Sequence, residues 1–103
     1  MEQKETKLYL VSVRTESECD RETHERVCIF PTREIAEAYI NREAHEFQRE
    51  HYDEFATGKY QVDTDVPGYF EASSEYGEDV YQWALTVVPM SDNEVCVKTA
   101  YIY

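Results

Sequence analysis

The chain has 103 residues, 42% hydrophobic and 14% aromatic, enough for one packed core and too few for two. Twenty-two acids against ten lysines and arginines give a formal net charge of −12. That sign excludes ordinary phosphate-backbone binding, which needs clustered cations, so no direct nucleic-acid contact is expected. The apolar content is too high for a disordered chain, and no apolar run approaches the roughly 20 residues that cross a bilayer.

The polar first segment, MEQKETK, lacks the apolar stretch of a signal peptide, so a cytoplasmic location and no membrane contact are expected. Residues 1–6 are expected to be a flexible N-terminus to a single domain over 1–103. Residues 7–15, KLYLVSVRT, are β-branched and aromatic on both parities, the pattern of an inner strand. A polar connection follows, and residues 23–30, THERVCIF, turn apolar toward their end, which predicts the return strand of a first hairpin.

Pro31 stops that strand because it has no N–H to donate, and Thr32 is a suitable N-cap for a helix starting at Arg33. Ala36, Ile40, Ala44, Phe47, His51 and Phe55 recur at helical spacing, with Ile35 and Tyr39 widening the stripe, so one long helix is predicted over 33–57. Thr57-Gly58 ends it. Residues 59–64 suit a short strand, whereas DVPGYFEASSEYGED is rich in turn formers and reads as a long acidic loop over 63–79. Residues 80–88, VYQWALTVV, alternate as a strand, and 94–103, EVCVKTAYIY, are expected to return beside it as a second hairpin.

The element order is therefore β-β-α-(β)-β-β. It predicts an α+β fold in which an antiparallel β-sheet carries one long α-helix packed on one face. The expected core joins Ile35, Ala36, Tyr39, Ile40, Phe47 and Phe55 to Leu8, Leu10, Trp83 and Leu85. The apolar C-terminal segment, Ala100 to Tyr103, also suggests a homodimer formed along an open sheet edge.

Catalytic signatures are missing from the sequence. Gly58, Gly68 and Gly77 stand too far apart to form a phosphate-binding loop, and no serine sits in a nucleophile elbow. His24 and Cys28 are four residues apart on one strand, roughly 13 Å by strand rise. Cys19, His24 and Cys28 do not match the short paired spacings of structural zinc sites. Cys28 and Cys96 lie in apolar runs and read as small buried hydrophobes, whereas Cys19 reads as accessible. No catalytic residue, cofactor or metal is therefore assigned. A carboxylate-based hydrolase and a structural adaptor forming homo-oligomers are the alternative readings.

The charge is unevenly placed. Residues 1–59 hold 14 acids and 9 bases, whereas residues 60–97 hold 8 acids and no base. Aromatics scattered among carboxylates are poor solubilisers but good interface anchors. Asp63, Asp65, Tyr69, Phe70, Glu71, Glu75, Tyr76, Glu78 and Asp79 are accordingly predicted to bind a basic protein, a nuclease or another nucleic-acid-binding complex. In size and charge the whole chain resembles the small acidic proteins that phages and mobile elements direct against host nucleic-acid enzymes, including DNA mimics and some anti-CRISPR proteins. It is similar, too, to bacterial immunity proteins that neutralise basic toxin nucleases. The resemblance implies an inhibitory role.

Overall fold

A computed structural model describes residues 6–17, 22–90 and 100–102. The fold is α+β: a sheet of five antiparallel neighbours, with a short sixth strand on one edge, carries its helices on one face. The strands are β1 (Thr6–Ser17), β2 (Glu22–Phe30), β3 (Tyr60–Val66), β4 (Tyr69–Ser74), β5 (Asp79–Met90) and β6 (Ala100–Ile102), arranged as β3-β4-β5-β1-β2-β6. β1 is an inner strand as its two apolar faces require, pairing with β2 on one side and with β5 on the other.

Between β2 and β3 run α1 (Arg33–Glu50) and α2 (Tyr52–Ala56). Thr32 caps α1, its Oγ1 accepting from the Ile35 N–H at 3.2 Å. Thr32→Ala should lower unfolding stability by about 1 kcal/mol, because that N–H then loses its side-chain partner; an unchanged denaturation midpoint would show that the cap contributes nothing. The single helix expected over 33–57 is interrupted at His51, whose φ of −110° and ψ of 34° leave the helical region. The break lets Phe55 close edge-on against Phe47 and Tyr60, each at 5.8 Å. No Pro or Gly marks it, so periodicity carried straight through.

The core lies between α1 and the sheet. Ala36, Tyr39, Ile40, Ala44 and Phe47 of α1 pack on Val11, Val13, Cys28, Phe30, Phe70, Ala72 and Trp83. Cys28 is fully buried, with its Sγ 3.7 Å from the Tyr39 hydroxyl. Leu8 and Leu10 do not face the helix as expected, because Val11 and Val13 of the opposite parity do. Ile35, expected in the core, is 48% exposed at the margin of the helical stripe.

Two further expectations are corrected. Residues 63–79 are not a long loop: 60–66 and 69–74 form the hairpin β3-β4, a 3-10 turn spans Glu75–Gly77, and β5 starts at Asp79. Pro67 and Gly68 make the hairpin turn, with Gly68 at φ +83°, where a side chain would be strained. Nor does the C-terminal segment return beside β5. Residues 100–102 pair in parallel with β2, and the side of β5 expected to receive them is taken by β4. Residues 1–5, with most of the expected flexible N-terminus, Cys19, Cys96, 94–99 of the expected last strand, and Tyr103 lie outside the described residues. Among the described residues no helix is long and apolar enough to cross a membrane.

Candidate functional site

Two surfaces result from this layering. One sheet face is covered by α1; the other is open, and cross-strand register fixes its occupants, since opposed residues share a face. Across the open face run Thr64, Glu71, Gln82, Arg14 and Glu25 in one row, and Val66, Tyr69, Ala84, Ser12 and Val27 in the next. The row of Ser73, Val80, Glu16 and Thr23 lies on the same open face, flanking the Glu71 row on the side away from Tyr69.

The predicted site residues divide among three places. Asp63, Tyr69 and Glu71 stand on the open face. Asp63 is the bulge residue between Val62 and Thr64, and it accepts from Ser73 Oγ at 2.6 Å and Gln61 Nε2 at 3.0 Å. The Tyr69 hydroxyl donates to Glu71 Oε1 at 2.9 Å, and Gln82 Nε2 donates to both the hydroxyl and, at 3.2 Å, the same carboxylate oxygen. These bonds fix carboxylate positions without neutralising their charge.

Glu75, Tyr76 and Glu78 occupy the 3-10 turn and the residue after it, at the end of β4 remote from Pro67-Gly68. Two bonds close the base of this turn: Glu75 N–H to the Lys59 carbonyl and Asp79 N–H to Ser74 Oγ, both at 2.8 Å. Tyr76 is 89% exposed at φ +70°, a left-handed conformation that costs a non-glycine residue roughly 1–2 kcal/mol. Asp65 is the third location, opposite Phe70 on the strand pair and exposed. Among the described residues the carboxylates of Asp65, Glu75 and Glu78 have no hydrogen-bond or ion-pair partner.

Two members of the predicted set change role. Phe70 is not an interface anchor: it is 1% exposed and meets Trp83 edge-on at 5.6 Å, inside the core. Asp79 begins β5 and is half-buried, with Oδ1 enclosed and without a hydrogen-bond partner among the described residues. Conversely, Val62 and Val66 of β3, 41% and 51% exposed, join the surface. Nothing in their sequence context marks them, because exposure on an edge strand depends on what lies beside it.

The strongly perturbed ionisations belong to the packed face. Burial first, then the Cys28 hydrogen bond, raises the Tyr39 phenol well above the usual range; burial and the hydrogen bond with Tyr60 do the same to Tyr81. Both phenols thus stay neutral near pH 7, and the Tyr39 hydroxyl donates to Glu43 Oε1 at 3.0 Å. Arg26 donates to the Tyr39 hydroxyl at 2.7 Å and to Glu43 at 3.0 Å, tying β2 to α1. The described grooves, one of about 380 Å3 at Val13, Thr15, His24, Glu25 and Arg26 and one of about 450 Å3 along Arg42, His45, Glu46 and Arg49, contain none of the predicted site residues. Among the described residues no group of three His, Cys, Asp or Glu side chains is placed to hold a metal ion.

The acidic surface is therefore spread along the β3-β4 hairpin and its following turn, roughly 20 Å by strand rise. No family model matches the chain, and no match was found among curated proteins or solved structures.

Proposed function

We propose that this protein is a small acidic interaction protein that occupies and inhibits a basic, nucleic-acid-processing partner. The observation that carries the reading is the unneutralised edge: residues 60–90 contain six carboxylates and no Lys, Arg or His, and Asp65, Glu75 and Glu78 face solvent unpaired among the described residues. Carboxylates held along a hairpin can take the places of successive phosphates in a groove lined by Lys and Arg, with fast, salt-sensitive association. A lysine on this surface would repel such a groove.

Tyr76 supports contact over solubility. A strained tyrosine pointing into solvent contributes little to folding, yet presents an exposed aromatic beside two acids, the kind of residue that anchors interfaces. Tyr76→Gly should leave thermal stability within about 1 kcal/mol of the parent, relief of the left-handed strain offsetting the added freedom of the unfolded chain, while weakening partner binding. A variant that binds as tightly as the parent would remove Tyr76 from the interface.

The direct test is affinity capture from the native host at low salt and at about 0.5 M salt, where the Debye length shrinks from about 10 Å toward a few Å, with retained proteins identified by mass spectrometry. A basic nucleic-acid enzyme held at low salt, released at high salt and inhibited by the purified protein is expected. A partner held equally at both salts would overturn the reading.

A further inference from the structure

The outer side of β3 carries the next step, which rests on the acidic-partner reading. β3 ends the strand order, so among the described residues nothing pairs with the backbone N–H and C=O groups that point away from β4. Such an edge is a template for another strand. Its side chains decide which strand fits. The bulge at Asp63 breaks the alternation of β3, placing Asp63 on the open face, where it meets Ser73, and Asp65 on the helix side, opposite Phe70. Each face of the edge thus carries one carboxylate, and each also carries one exposed valine, Val62 on the helix side and Val66 on the open side.

We propose that β3 receives an extended, lysine- or arginine-rich segment of the partner as an added strand. The backbone edge supplies the ladder, Asp63 and Asp65 meet cations on both faces, and Val62 and Val66 cover the aliphatic stems of those side chains. A second copy of this chain is the wrong occupant. Antiparallel self-pairing about Asp63 or about Asp65 sets that carboxylate directly opposite its own copy on one face, and pairing about Thr64 still gathers four carboxylates from edges that hold no Lys, Arg or His, which is destabilising. The same carboxylates that discourage self-assembly select a basic strand.

The test uses the full chain and two synthetic peptides of about nine residues. One alternates lysine with valine and threonine; the other keeps every lysine but carries proline at alternate positions, which removes the ladder donors while retaining the charge. Binding is followed by amide chemical shifts and hydrogen exchange at low salt. The first peptide is expected to slow exchange of the outward β3 amides by about tenfold or more at saturation. The proline peptide should bind about tenfold more weakly, and Asp63→Asn with Asp65→Asn should weaken the first peptide.

If both peptides bind alike, with shifts centred on Glu75 to Glu78 and no protection in β3, strand addition is overturned while the acidic-partner reading stands. If neither binds at about 1 mM, a free energy near −4 kcal/mol, both fail. Protection of β3 that rises with protein concentration and without peptide would make a second copy the occupant, and would likewise overturn the proposal.

Discussion

Ile40→Asp should abolish the cooperative thermal transition measured by circular dichroism. Ile40 is 2% exposed at the centre of the buried stripe of α1, among the largest fully enclosed side chains of the domain. Replacing it forfeits about 1.5–3 kcal/mol of apolar burial, and a carboxylate left there without a partner costs several kcal/mol more, or must protonate. A domain of this size has only about 5–15 kcal/mol to lose. Ile35→Asp makes the control within the same helix: at an exposed position it should change stability by no more than about 1 kcal/mol. Ile40→Asp melting like the parent would show that the core lies elsewhere. Loss of α1 also removes the cover over Phe70 and Trp83, so the acidic hairpin should lose its order in the same transition.

Reversing Asp63, Asp65, Glu75 and Glu78 together to Lys should weaken partner binding by on the order of 100-fold or more while the fold survives. Each exposed ion pair contributes about 0.2–1 kcal/mol, and each reversal replaces attraction by repulsion of similar size. Four such changes therefore sum to several kcal/mol, and about 1.4 kcal/mol is a factor of ten. Each substitution adds two units of charge, taking the net charge from −12 to −4. All four side chains are exposed, so the melting temperature should move by only a few degrees. Asp79 is left intact because its Oδ1 is enclosed, so reversal there would place a charge in a buried position and disturb the fold. The salt dependence should also invert for the reversed protein, since screening then relieves repulsion. A partner that binds the reversed protein as tightly as the parent would reduce the acidic edge to solvated surface.

Where the sequence spoke for this chain, it spoke through local and periodic properties. The helical stripe from Ala36 to Phe47, the cap at Thr32 and the absence of bases between Lys59 and Lys98 depend only on neighbours along the chain, and they survive in any fold that buries the stripe. The inner position of β1 follows likewise, because a β-branched, aromatic strand apolar on both parities is best sheltered with a neighbour on each edge. Tertiary structure decided what that symmetry left open. With Leu8 and Leu10 on one parity and Val11 and Val13 on the other, only the helix could choose which set it covered. Tyr69 and Phe70 posed the same choice. Pairing with β5 places Phe70 opposite Trp83 in the core and leaves Tyr69 to its hydrogen bonds on the open face. Residues 63–74 looked like a loop because turn formers outnumber apolar residues there; they become strands because β5 offers an edge that β4 can extend. The C-terminal residues joined β2 because pairing partners far apart in the chain leave no mark in local sequence. A strand's face and partner are fixed by long-range burial and backbone pairing, and neither is encoded in the order of its own residues.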